Sequence, residues 1–298
     1  MSEIRVGIVG VGKMGGAMAR RILDTGAKLT VCDRNRNTVA TLENAGARVA
    51  ASAQDLADQC TIVISCLPSP EASVDVAIGE QGVVHGKAVR VLIETSTIGR
   101  AAIDVIAKGL EERNIGFLDC PISGGPRRAL TGTLALIASG AEAHYAIAKE
   151  ALALLGECFY LGATPGLGQL AKILNNHVSA AGSVAVFKGL AMGIKAGIDL
   201  KLLNDILNAG TARNDTTVHK VPLAVISGTD QYRHPRHRTQ GRSTVHRGGG
   251  ACNAGVRIAP HILALYREAA AAGYKDRDSM RLFQYVQSLG WDEAEARA

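Results

Sequence analysis

Short apolar runs alternate with amphipathic stretches through the first half of the chain. Arg5–Val9, Leu29–Cys32, Thr61–Leu67, Val89–Glu94, Gly116–Asp119, Leu134–Ser139 and Cys158–Leu161 are dominated by Val, Ile and Leu, and they predict buried strands. Between them, Gly15–Thr25, Arg36–Ala45, Ser52–Gln59, Ala72–Ile78, Arg100–Glu112 and Ala143–Leu154 space their apolar residues as helices do. Strand alternating with helix predicts a doubly wound α/β sheet. The character changes after Gly162. Gly166–Gly197 reads as one long helix, and Leu200–Asn208, Val218–Val225, Ala259–Ala272 and Asp278–Leu289 as further helices with no strand pattern among them. The pattern predicts an α/β domain over 1–162 and an all-α domain over 163–298, with an active-site cleft between them.

The first strand-to-helix turn is Gly10-Val11-Gly12-Lys13-Met14-Gly15. In that context G-x-G-x-x-G is a phosphate cradle. The first glycine permits the tight turn, the second lets a pyrophosphate approach the backbone, and the third lets helix and strand pack closely. Asp33 ends the next strand at roughly the twenty-residue spacing at which an acid meets a ribose hydroxyl, with Arg34 beside it. These residues predict a Rossmann dinucleotide-binding domain holding NAD, with NADP a second option because Arg34 could meet a 2′-phosphate.

Composition narrows the picture further. The chain of 298 residues is 47% hydrophobic and only 4% aromatic, as tightly packed helices and strands rich in small residues would be. No apolar run is read as spanning a membrane, and the N-terminus enters a strand at once, so neither a membrane nor a signal peptide is expected. Six cysteines without C-x-x-C or metal spacing predict reduced thiols in a cytoplasmic protein and no metal site. The net charge of +6 does not imply nucleic acid. Five arginines (Arg233, Arg236, Arg238, Arg242 and Arg247) crowd one short segment free of acids, without interleaved aromatics, and the rest is near neutral.

Two further stretches carry chemistry. Asp119-Cys120-Pro121-Ile122-Ser123-Gly124-Gly125-Pro126 offers a hydroxyl and unobstructed backbone N–H groups, a nest suited to a carboxylate. In Gly166-Leu167-Gly168-Gln169-Leu170-Ala171-Lys172-Ile173-Leu174-Asn175-Asn176, Lys172 and Asn176 lie four apart and share a helix face. Flanked by apolar residues, Lys172 can be desolvated toward the range useful for proton transfer. Taken alone, the first stretch reads rather as an ordinary turn and the second as a solvated helix lysine.

In this order and spacing the three motifs resemble the β-hydroxyacid dehydrogenase family, the group of 3-hydroxyisobutyrate dehydrogenase and tartronate semialdehyde (2-hydroxy-3-oxopropionate) reductase, related to 6-phosphogluconate dehydrogenase. The resemblance implies a Rossmann domain joined by a long helix to an α-helical domain, and a homodimer or homotetramer. It implies an NAD(P)-dependent interconversion of a small β-hydroxy acid and its semialdehyde. Gly10, Gly12, Lys13, Met14, Gly15, Asp33 and Arg34 would hold the adenosine and pyrophosphate. Leu67, Pro68 and Ser96 would line the cofactor path, and Ser123, Gly124 and Gly125 would bind the carboxylate of a small substrate. Lys172 would be the general acid/base and Asn176 would orient substrate oxygens.

One family motif is missing. A second-domain helix opening Lys-Asp-Leu should fall between Gly228 and Gly255, but Gln231–Asn253 contains no Leu, Ile, Met, Phe, Lys, Asp or Glu. It cannot offer an apolar helical face and reads as an irregular loop. Codons exist for Gln240–Ala254 that, read one nucleotide later, spell KEDLRFTEAAARAM, an amphipathic helix with that opening. Out-of-frame translation is one account; a genuine basic insertion, leaving a catalytically impaired cofactor-binding protein, is the other.

Overall fold

The computed structural model describes residues 5–227, 258–274 and 282–289. It falls into two compact units, Met1–Lys172 and Ile173–Ala298, divided ten residues beyond the boundary read from the sequence.

In the first unit six parallel strands form one sheet: β1 (Val6–Val9), β2 (Leu29–Cys32), β3 (Arg48–Val49), β4 (Ile62–Ser65), β5 (Val91–Glu94) and β6 (Gly116–Asp119). Their order is β3-β2-β1-β4-β5-β6, so the direction of winding reverses between β1 and β4. The apolar runs are continuous because both faces are covered. Ile62, Ile64, Val91, Ile93 and Leu118 face a layer that includes Met18 and Ile22 of α1 (Lys13–Asp24). Val63, Leu92 and Phe117, one residue out of phase, face Leu56, Ile103, Ile106 and Leu110. The latter come from α3 (Ala53–Gln59) and α5 (Arg100–Glu111); α2 (Arg36–Glu43) and α4 (Pro70–Ile78) complete the set.

Helices α2, α3 and α4 start at side-chain caps. Asn35 accepts from Asn37 N at 3.1 Å, Ser52 from Asp55 N at 3.0 Å, and Ser69 from Ala72 N at 3.2 Å. Ser52 is thus the cap of α3 rather than its first helical residue, and Pro70 takes the first turn of α4, where no N–H is needed.

The last two strands predicted for the main sheet belong instead to a second one. After β6 the chain turns through Cys120–Pro121 into β7 (Ile122–Ser123), which pairs antiparallel with β8 (Leu134–Ala138); β8 pairs parallel with β9 (Gly156–Tyr160). A single bridge, Asp119 to Ser139, ties this sheet to the end of β6. Helices α6 (Gly125–Thr131) and α7 (Glu142–Ala153) connect its strands. Strands β3 and β7, two residues each, escaped the sequence reading because a two-residue strand shows no periodicity.

The second unit is helical throughout its described residues. Helix α8 (Leu167–Lys195) runs into it, followed by α9 (Leu200–Ala209), a wide π-type helical run at Thr216–Ile226, α10 (Ile258–Ala269) and α11 (Leu282–Ser288). Phe187, Leu190, Val221, Leu265, Phe283 and Val286 make its core, with the Phe187 and Phe283 rings 5.7 Å apart.

One expectation needs correcting. Helix α8, 29 residues long, is long and apolar enough by length and composition to cross a membrane. It contains no unbroken apolar run of that length. Here Leu, Ile, Val, Ala and Phe carry the hydropathy between polar residues such as Lys172, Asn175, Asn176 and Lys188. A long connecting helix passes the same test. The expectations for Gln231–Asn253 lie outside the described residues, as does the helix predicted to resume at Val256; α10 is described from Ile258.

Candidate active site

The glycine turn lies where the sheet order reverses. Gly10 has φ +88°, a left-handed conformation that side chains disfavour, and a Cβ there would strike the Cys66 carbonyl and come within 2.9 Å of Leu67 Cδ2. The turn after β1 is thereby held against the chain leaving β4. A Cβ on Gly15 would fall on the carbonyl oxygen of Gly10, so helix and turn pack at a distance only glycine allows. Around Gly12 the situation is opposite: a Cβ would meet nothing within 4 Å. Gly12 also brings no side chain to cap α1, and no acid sits in its first turn. An open approach to helix N–H groups with no built-in anion is what a pyrophosphate requires, so these residues fit a dinucleotide.

Asp33 fixes this cradle. Its Oδ2 accepts from Val11 N at 2.7 Å and its Oδ1 from Asn35 N at 2.8 Å, so one carboxylate ties the glycine turn to the cap of α2. Each oxygen keeps a lone pair for a ribose hydroxyl. Lys13 and Arg34 are exposed beside it, and Met14 is half-buried.

The ends of β4 and β5 are joined beneath the turn. Leu67 N donates to Ser96 Oγ at 2.7 Å, and Thr95 Oγ1 donates to the Ser65 carbonyl at 2.6 Å. Gly10, Leu67 and Ser96, predicted separately, are therefore brought together, with Pro68 exposed on the same loop. Glu94 lies wholly buried under them. Its oxygens accept from Ser96 N at 2.7 Å and Ser65 Oγ at 2.8 Å; burial nevertheless raises its pKa, with the Ser96 hydrogen bonds opposing the shift. Burial also pushes the Cys66 thiol up to about 12. The five described cysteines are free thiols, as expected.

Ser123 ends β7, opposite Ala135 of β8. Gly124 and Gly125 follow with φ +134° and +74°, conformations that side-chain-bearing residues rarely adopt, and they open α6. Lys172 lies in the second turn of α8 and is buried, at 9% exposure, although Leu174 two residues on is exposed at 55%. Asn176, one turn further, is half-buried, and Asn175 Nδ2 lies 3.5 Å from its Oδ1.

Asp119 and Gln169 carry roles that the sequence reading did not assign. Asp119, fully buried at the end of β6, caps α8: its Oδ2 accepts from Gly166 N at 3.1 Å, Gln169 N at 3.0 Å and Ser139 Oγ at 3.1 Å. Burial raises its pKa against the Gln169, Ser139 and Gly166 hydrogen bonds. The available signal was a carboxylate ending an otherwise apolar strand, which a buried acceptor for a later helix explains. Gln169 had no signal beyond its place between two motif residues.

Relatives complete the picture. Residues 5–162 match the family described as the NAD binding domain of 6-phosphogluconate dehydrogenase, and residues 166–286 that described as NAD-binding of NADP-dependent 3-hydroxyisobutyrate dehydrogenase. The chain is 31% identical over 297 residues to mitochondrial 3-hydroxyisobutyrate dehydrogenase of Rattus norvegicus, covering 96% of this chain and 88% of that one. It is 26% identical over 219 residues to L-threonate dehydrogenase of Cupriavidus necator, covering 73% and 74%. A crystal structure of 3-hydroxyisobutyrate dehydrogenase from Salmonella typhimurium superposes with a TM-score of 0.84 at 26% identity, over 95% of this chain and 99% of that one. Glycine cradle, fold and relatives agree: the chain belongs to the β-hydroxyacid dehydrogenase family and is an NAD(P)-dependent oxidoreductase of hydroxy acids.

Proposed function

We propose that the enzyme interconverts a small β-hydroxy acid and its semialdehyde, of the 3-hydroxyisobutyrate or 2-hydroxy-3-oxopropionate type, using Lys172 as proton carrier. The burial of Lys172 on α8, one turn before Asn176, is the observation behind this reading. When bound, the nicotinamide supplies or takes the hydride. In oxidation the neutral Lys172 amine accepts the hydroxyl proton; in reduction the ammonium returns one to the carbonyl oxygen. Asn176 orients the substrate oxygens from the same helix face, and Ser123 with the Gly124–Gly125 backbone binds the carboxylate.

Asp33 favours NAD(H) over NADP(H), because a carboxylate that accepts from Val11 N and Asn35 N repels a 2′-phosphate at that point, whereas Arg34 pulls the other way. Steady-state kinetics over a panel of C3–C5 β-hydroxy acids and semialdehydes, each with both nucleotides, tests substrate and cofactor together. A higher kcat/KM with NADPH overturns the cofactor assignment; turnover restricted to substrates lacking a carboxylate overturns the substrate assignment. The oligomer is proposed to be a homodimer or homotetramer and the location cytoplasmic, which sedimentation and fractionation test. A chain that binds NADH yet turns over nothing on the panel would instead be the impaired cofactor-binding member that the Gln231–Asn253 sequence suggests.

A further inference from the structure

Gln169 is 1% exposed, and every hydrogen-bonding position of its side-chain amide is filled. Oε1 accepts from Ile98 N and Gly99 N, both at 2.9 Å. Nε2 donates to the Ser96 carbonyl at 3.0 Å and to Asp119 Oδ1 at 2.7 Å. Two N–H groups on one end and two oxygens on the other fix which way the amide faces. The backbone N–H of Gln169 donates to the other Asp119 oxygen at 3.0 Å, so one carboxylate grips the residue at both its ends.

The position of this amide matters more than the bond count. Gln169 stands three residues before Lys172, close to one helical turn away. Its contacts reach the loop after β5, where Ser96 Oγ accepts from Leu67 N at 2.7 Å. A continuous path of hydrogen bonds thus runs Leu67–Ser96–Gln169–Asp119, from the cofactor-side loops to the first turn of the lysine-bearing helix. We infer that Gln169 is a positioning residue that sets the register of the α8 first turn against the β4 and β5 loops, and so fixes where Lys172 presents its amine.

The inference rests on Lys172 as the proton carrier. A helix end held only by a backbone cap could still slide or rotate by a fraction of an ångström. The amide removes that freedom, because its four bonds point to two different segments. Misplacement of a catalytic group by about 1 Å can cost on the order of 10²-fold in rate. The loss should fall on kcat, with KM for the nucleotide changed by less than about threefold, since Gln169 bonds only the Ser96 backbone on the cofactor path and none of Gly10, Gly12, Gly15 or Asp33.

The test compares Q169M, Q169E and K172A in the full chain. Q169M keeps the volume and loses all four side-chain bonds. Q169E keeps the acceptor for Ile98 N and Gly99 N, sets two carboxyl groups face to face, and regains one donor when they share a proton. Two readouts are taken: kcat per folded enzyme across pH, and the rate at which an amine-selective acylating reagent labels Lys172, measured peptide by peptide against the exposed lysines. The expected result is a roughly 10–100-fold lower kcat for Q169M. Q169E should recover toward wild type as pH falls, and Lys172 labelling should change several-fold in both variants while exposed lysines are unaffected. If K172A abolishes turnover but Q169M keeps kcat within twofold of wild type, with Lys172 labelling unchanged, Gln169 is only part of the packing and the inference is overturned. If K172A keeps near-normal turnover, the assignment of Lys172 fails instead, and the labelling rates still decide whether Gln169 positions that side chain. Should Q169M not fold, Q169E carries the same decision.

Discussion

At the residue scale, the chemistry depends on polar groups placed where water is excluded. Lys172→Ala should lower kcat by about 10²–10⁴-fold while the dissociation constant for NADH stays close to wild type, because the cradle around Gly12 is formed elsewhere. Rapid-mixing kinetics with separate NADH titration checks this, and near-normal turnover would remove the lysine from the mechanism. Glu94 gives a prediction with a definite sign. Burial raises its pKa in the folded chain above the ordinary 4.5, so the unfolded chain releases its proton first as pH rises. Stability from this group is fully present below about 4.5 and is lost as pH climbs through the raised value. Glu94→Gln keeps an acceptor for Ser96 N and can donate to Ser65 Oγ, so its unfolding free energy should fall less over that window. Chemical denaturation at a series of pH values reads the difference; parallel curves for the two proteins would refute it. The glycines and Lys172 were legible in sequence because their residue types are demanded by geometry or chemistry. Gln169 was not, since its significance lies in four bonds to two distant segments, the 96–99 loop and the end of β6.

At the element scale, legibility followed length and flanking. Strands of four residues buried on both faces declare themselves as Val, Ile and Leu runs, and helices of twelve residues such as α1 and α5 show a full apolar face. The second sheet was misassigned because strands β8 and β9 look like any others; what separates them is the reversal at Cys120–Pro121 and the two-residue β7, neither of which has a period. The β1–α1 turn is the element most sensitive to substitution. Gly15→Ala would drive a methyl group into the Gly10 carbonyl oxygen, and since both atoms belong to the backbone of one tight turn, neither yields cheaply. The expected cost is about 1–3 kcal/mol of stability, with a weakened NADH affinity as the cradle opens. Ser52→Ala is a useful contrast: it deletes the cap on Asp55 N, should cost about 1 kcal/mol, and should leave NADH binding alone. Equal effects of both substitutions on nucleotide affinity would show that the turn is not the binding element.

For the whole molecule, the sequence reading foresaw a Rossmann domain, a long helix and a helical second domain; the described residues and the relatives bear that architecture out. The stretch that departs from the family, Gln231–Asn253, bears on function directly, because the resemblance expects there a helix whose lysine reaches the nicotinamide side of the site. A chain rewritten across that stretch to restore an amphipathic helix opening Lys-Asp-Leu should unfold at higher temperature, aggregate less and turn over faster than the chain as written. The physical reasons are separate. An apolar helical face can cover second-domain surface such as Leu202 and Ile206 of α9, which are 56% and 54% exposed, and burial of that kind stabilises by about 25 cal/mol per Å². A restored lysine adds a charge that the present stretch supplies only as arginine and histidine in a different pattern. Thermal melts, light scattering and kcat/KM for the two chains, with the gene resequenced across codons 228–256, decide the matter. If the frame is confirmed and the chain as written matches the rewritten one in kcat/KM, the Lys-Asp-Leu helix is dispensable in this enzyme and the arginine-rich stretch is a genuine replacement for it.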